Sequence, residues 1–184
     1  MSIFISYRRS DSSGYAQALY SELARSVGDD RVFMDVDGIH PGEDFSAVID
    51  TTLRDCRVVL VLIGRSWLEA AGVEGGQRRI DNPDDFVRQE IAAALASDRL
   101  VIPLLFDGAT MPAADELPAS IAALSKRNAV AIRHDRFRDD VAYLLKTINK
   151  ASTALRDPKE AWTAWIATAV VVTIVVIGLI VIAR

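Results

Sequence analysis

Six aliphatic residues stand in a row at Val58-Val59-Leu60-Val61-Leu62-Ile63, with no polar residue between them. A strand with one wet face alternates apolar and polar side chains. An unbroken run needs cover on both faces, which is the condition of a strand inside a parallel sheet. Parallel strands in turn need long crossovers, usually helices. Arg57–Ile63 therefore predicts an α/β fold, and the rest of the chain must supply the flanking strands and covering helices.

It does so in sequence. Ile3–Ser6 reads as a short buried strand. Asp11–Val27 has helical spacing, with Tyr15, Leu19, Leu23 and Val27 on one face, and Gly28 stops it. Arg31–Met34 is a second strand, followed by a loop with Gly38, Pro41 and Gly42. Glu43–Arg54 is a second helix. A third helix is expected over Pro83–Ala96, with Asn82 as N-cap and Pro83 as its first residue. Leu100–Leu105 and Ala129–Ile132 are two more strands, with a short helix near Ala119–Leu124 between them. Asp139–Asn149 is a closing helix. Five strands alternating with helices predict a doubly wound, flavodoxin-like parallel sheet, with simplest order 2-1-3-4-5 and a crevice between the first and third strands.

Composition separates a tail from this domain. The chain is 51% hydrophobic and 25% charged, and no charged residue falls between Ala161 and Ala183. At about 1.5 Å per residue this span is roughly 34 Å of helix, against a bilayer core of about 30 Å. The expected organisation is a domain over 1–150, a linker over 151–160 and a transmembrane helix over 161–183. Lys150, Arg156 and Lys159 precede the span and only Arg184 follows it. That bias predicts a single-pass protein with a cytoplasmic N-terminal domain. The N-terminus lacks the basic and apolar regions of a signal peptide. All 25 acidic residues precede residue 161, and such an acidic domain is a poor partner for nucleic acid. Cys56 is the only cysteine, and His40 and His134 are the only histidines. Disulfide, thiolate-metal and His-rich metal sites are thereby disfavoured.

Ligands of open parallel sheets bind at the carboxyl ends of the strands. Arg8 and Arg9 leave the first strand there, at a helix start where positive charge opposes the dipole. They read either as solvated charge or as partners of an anion. Asp35–Gly42 leaves the second strand. Trp67 follows the third, either stacking on a planar ring or covering the sheet edge. Glu90 shares a helix face with Phe86 and Ala94. It reads either as an edge residue pairing with Arg88 or Arg99, or as a carboxylate facing the crevice and able to hold sugar hydroxyls. No GxxxxGK[ST], GxGxxG or GxSxG motif is present.

Five segments in order resemble Toll/interleukin-1 receptor (TIR) domains. They are Phe4-Ile5-Ser6-Tyr7-Arg8-Arg9; Val32–Val36 with Gly38 and Gly42–Phe45; Cys56–Ile63 with Trp67-Leu68; Phe86–Ile91 with Ala94-Leu95; and Val101–Leu104. The resemblance, to TIR domains of bacterial type and also to an animal TIR enzyme, covers about residues 1–150. It implies the same five-stranded fold and cleavage of NAD+, a substrate and not a cofactor, at the nicotinamide–ribose bond. The products would be nicotinamide with ADP-ribose or a cyclic variant, in bacterial antiphage defence or signalling at the inner membrane. It further implies Glu90 as the catalytic glutamate and Arg8, Arg9, Asp35 and Trp67 around the substrate. Asp37, Gly38, Ile39, His40, Pro41 and Gly42 would form a gating loop. Homo-oligomers through TIR–TIR contacts and an activating protein partner are expected, with no metal. The alternative is a non-enzymatic, membrane-anchored signalling module acting by self-association.

Overall fold

β3 (Val58–Ile63) is buried along its whole length, as its composition demands. It lies at the middle of one parallel sheet in the order β2-β1-β3-β4-β5. The computed structural model describes residues 1–34, 53, 55–72 and 76–154. The other strands are β1 (Ile3–Ser6), β2 (Val32–Met34), β4 (Leu100–Phe106) and β5 (Val130–Ile132), and the helices are α1 (Arg9–Val27), α2 (Phe86–Leu95) and α3 (Phe137–Ala154). The expected helix over 43–54 falls, apart from Leu53, outside the described residues.

Register runs Ile3↔Val58 to Ser6↔Val61 between β1 and β3, and Val58↔Leu100 to Ile63↔Leu105 between β3 and β4. Pro103 is tolerated inside β4 because β5 begins pairing only at Leu104, which leaves the first half of β4 as an edge. α1 ends where Gly28 takes φ 102 and donates its N–H to Ala24 O at 2.9 Å. The core on one face of the sheet joins Phe4, Val59, Val61 and Ile63 to Val87, Ile91 and Ala94 of α2. Side chains alternate along a strand, so Ile3, Ile5, Leu60 and Leu62 point to the other face. There α1 lies against β2 and β3 and buries Ala16, Leu19 and Leu23.

The chain forms two compact units, Met1–Lys146 and Thr147–Arg184, and every strand lies in the first. The expected transmembrane helix is corrected. Among the described residues no helix is long and apolar enough to cross a membrane. The last of them, α3, carries Arg138, Asp139, Asp140, Lys146 and Lys150. Charges repeated through a helix are incompatible with a hydrocarbon core. The span 161–183 itself lies outside the described residues. The membrane as a partner and the single-pass, cytoplasm-facing localisation are withdrawn with the helix.

Candidate active site

Alternation along β1 selects what meets α2. Phe4 and Ser6 share a face, and Arg8 continues it because its backbone is still extended (φ −102, ψ 117). Phe4 enters the core beneath α2. Ser6 is buried, and its Oγ donates to Glu90 Oε2 at 2.6 Å. Arg8 is buried as well. Its two terminal nitrogens donate to Asp85 Oδ2 and Oδ1 at 2.9 and 3.0 Å.

Asp85 is the N-cap of α2, and its Oδ1 accepts the Arg88 N–H at 3.0 Å. Arg79 Nε adds a second ion pair at 3.1 Å. The expected start at Pro83 is thus corrected to Phe86. Asn82 instead accepts the Asp84 N–H at 2.9 Å, closing a turn before the helix. Arg88 and Arg99, the expected partners of Glu90, turn elsewhere. Arg88 donates to Ser120 Oγ and the Asp81 carbonyl, and Arg99 donates to the carbonyls of Leu53 and Cys56.

Glu90 is 6% exposed. A carboxyl group so enclosed, with a hydroxyl donor fixed on one oxygen, is held in a set position. It can accept hydrogen bonds from vicinal hydroxyls or stabilise positive charge developing beside it. Phe86, one turn earlier on the helix, is half exposed.

The expected site residues do not all gather here. Arg8 is engaged inside the protein rather than presented to solvent. Arg9 is exposed at the first residue of α1. Trp67 is fully buried in the core, with the Arg8 guanidinium 5.9 Å from its ring centroid. That position fits the cover of a sheet edge and leaves no ring face for a ligand. Asp35 and Asp37–Gly42 lie outside the described residues. A cavity of about 350 Å³ at the ends of β3 and β4 is lined by Gly64, Arg65, Glu69, Gly108 and Thr110, and Glu90 is not part of it. Ser6 and Asp85 were not among the expected site residues. The signal that finds them is the parity of positions 4, 6 and 8, set against a capping residue five places before Glu90.

The family model described as "TIR domain" matches residues 3–145. The chain is 28% identical over 134 residues to the NAD(+) hydrolase tir-1 of Caenorhabditis elegans, covering 72% of this chain and 13% of that protein. It is 28% identical over 137 residues to the NAD(+) hydrolase sarm1 of Drosophila melanogaster, covering 73% of this chain and 9% of that one. It thus spans about a tenth of the length of the curated relatives it matches. Among solved structures, the TIR domains of the activated Roq1 resistosome superpose with a TM-score of 0.58 at 12% identity, covering 80% of this chain and 98% of that one. These likenesses give no evidence for the expected bacterial origin. Both relatives are animal proteins, and the bacterial placement is withdrawn. With the sheet order met and the family model spanning most of its length, the chain belongs to the TIR domain family.

Proposed function

We propose that this domain is an NAD+ hydrolase that breaks the bond between nicotinamide and ribose, with Glu90 as its catalytic residue. Likeness to two NAD+ hydrolases supports NAD+-cleaving chemistry at the level of the family. The observation that carries the proposal is the buried Glu90 carboxylate held by Ser6 at the carboxyl end of β1.

One carboxylate suffices for this reaction. The nicotinamide nitrogen is quaternary in NAD+, so it departs as a neutral base with the electron pair of the C1′–N bond and needs no acid. The ribose passes through an oxocarbenium-like state. Glu90 stabilises that charge and holds the ribose hydroxyls. Water adding at C1′ and losing a proton gives ADP-ribose; an adenine nitrogen adding there gives a cyclic product. Arg9, exposed at the start of α1, is the basic side chain proposed to meet the pyrophosphate. The loop 35–42 is proposed to gate the site and to pair with a second copy of the domain.

The test is incubation of the full chain with NAD+ over a hundredfold range of protein concentration, with products identified by mass. Nicotinamide release should rise more than proportionally with protein. The Glu90→Gln protein should lose about 10²–10³ in rate with an unchanged or slightly raised melting temperature. Equal turnover by parent and variant would remove Glu90 from the chemistry. No turnover by the parent at any concentration leaves the self-associating signalling module as the better account.

A further inference from the structure

β1 grips α2 at two heights, and the spacing of the two grips is set by elementary geometry. Ser6 ends β1, and Arg8 follows two residues on with its backbone still extended, about 6.6 Å further along. Glu90 and Asp85 are five residues apart on a helix that runs the opposite way, about 7.5 Å. The steps nearly match, so one strand face reaches both carboxylates at once: Ser6 to Glu90 at 2.6 Å, Arg8 to Asp85 at 2.9 and 3.0 Å. A single contact would let the helix slide or rock about it. Two contacts separated along the axis fix both the translation of α2 and the angle at which the Glu90 side chain leaves it.

The Arg8 end is built for stiffness. A guanidinium and a carboxylate meet there in a two-bonded fork, the geometry that Arg forms and Lys cannot. The same carboxylate caps the helix on the Arg88 N–H. Trp67 closes one side of the guanidinium. Arg8 is 2% exposed and Asp85 is 3% exposed, so water does not compete for either. The Ser6 end is a short bond to a carboxyl oxygen, also out of water.

We infer that Ser6 and the Arg8–Asp85 pair are positioning residues, a two-rung clamp from β1 that holds the Glu90 carboxylate where a substrate's ribose must meet it. The inference rests on the reading of Glu90 as the catalytic residue. It also gives Arg8 a role other than contact with the dinucleotide. Removing a rung therefore costs turnover more than substrate affinity, because the displaced carboxylate is misplaced for the transition state.

The experiment compares Ser6→Ala, Ser6→Thr and Arg8→Lys with the parent in the full chain. NAD+ is the substrate, and a thermal melt establishes that each protein is folded. In parallel, the Glu90 carboxyl carbon is titrated by NMR. Arg8, Arg79 and Asp85 are common to the parent and both Ser6 variants, so differences among those three report the hydroxyl. Ser6→Ala should lower kcat about ten- to a hundredfold with KM within about threefold. The Glu90 midpoint should rise, since the charged form loses a donor. Ser6→Thr, which keeps the donor, should restore both. Arg8→Lys keeps the charge and loses the fork, and should likewise lower kcat with little change in KM. A Ser6→Ala protein with parental kcat and an unmoved midpoint overturns the clamp. So does an Arg8→Lys protein whose KM rises tenfold at parental kcat, the signature of a lost substrate contact. If the parent itself never turns over NAD+, the catalytic reading fails separately. The titration then decides the clamp alone: a raised midpoint in Ser6→Ala upholds it and an unmoved one overturns it.

Discussion

At Gly64, where the chain leaves β3, an added methyl would lie 2.5 Å from Asp11 Oδ2 and 2.7 Å from Oδ1. That carboxylate cannot swing aside freely, because it accepts the N–H groups of Gly64 and Ser66, each at 2.8 Å. Gly64→Ala must either break those bonds or shift the start of α1. Overpacking of this kind costs about 1–3 kcal/mol, to be read from urea unfolding of the parent and the variant. Removing the obstacle with Asp11→Ala should make the added methyl nearly neutral, so a double variant no more stable than the sum of the two singles would show that the clash is not the cause. Cys56 makes a different prediction at the same scale. Burial pushes its thiol up to about 11, with Asp55 acting in the same direction and Arg99 against it. At pH 8 the folded protein should be inert to a thiol reagent and react only as fast as it unfolds. Stoichiometric labelling within seconds in native buffer would contradict the burial.

Among the elements, α2 shows how a helix start is chosen. Asn82 and Asp85 are both good caps by residue type, and local spacing alone favours the one before Pro83. The choice of Asp85 is largely tertiary: besides the nearby, half-exposed Arg79, it meets the buried guanidinium of Arg8, far away in sequence. Nothing within the segment announces this. By contrast, β3 is legible because its run is short, unbroken and rich in β-branched residues, which suits a strand covered on both faces, and Gly28 because only glycine adopts its backbone readily. The Ser6–Glu90 bond spans 84 positions and becomes visible only once β1 and α2 are known to share a face. The same reasoning yields a test. Asp85→Asn keeps an acceptor for the Arg88 N–H but strands the Arg8 charge in the interior, a loss of about 3–5 kcal/mol. Asp85→Ala should lose about 1 kcal/mol more, the usual worth of a cap. Pairing Asp85→Asn with Arg8→Met removes the stranded charge and should recover most of the stability in the same urea assay. A double variant as unstable as Asp85→Asn alone would mean that the ion pair is not what holds the helix start.

For the first compact unit as a whole, the sheet order was expected because alternating strands and helices leave few right-handed, parallel arrangements. How the unit responds to acid was not, because it depends on contacts across its closing edge. Asp140, in the first turn of α3, accepts the Arg133 N–H at 2.9 Å and its guanidinium at 3.0 and 2.7 Å. The Arg133 side chain, followed by its backbone N–H, holds the carboxyl down at about 2. Unfolded, the same carboxyl titrates near 4. The ionised form is thus favoured by folding, so its contribution is complete above about pH 5 and is lost progressively as pH falls through about 2. Arg133 stays charged throughout. Asp81, lowered by Arg78, acts with the same sign and remains in an Asp140→Asn protein. That variant should therefore unfold at lower urea than the parent by a constant margin from pH 7 to about 5. The margin should narrow below about pH 4 and fall to roughly a third of its neutral-pH value by pH 2.5, where the carboxyl is still mostly ionised in the folded parent but protonated in the unfolded chain. A margin that stays the same down to pH 2.5 would mean that Asp140 contributes through packing rather than through its charge.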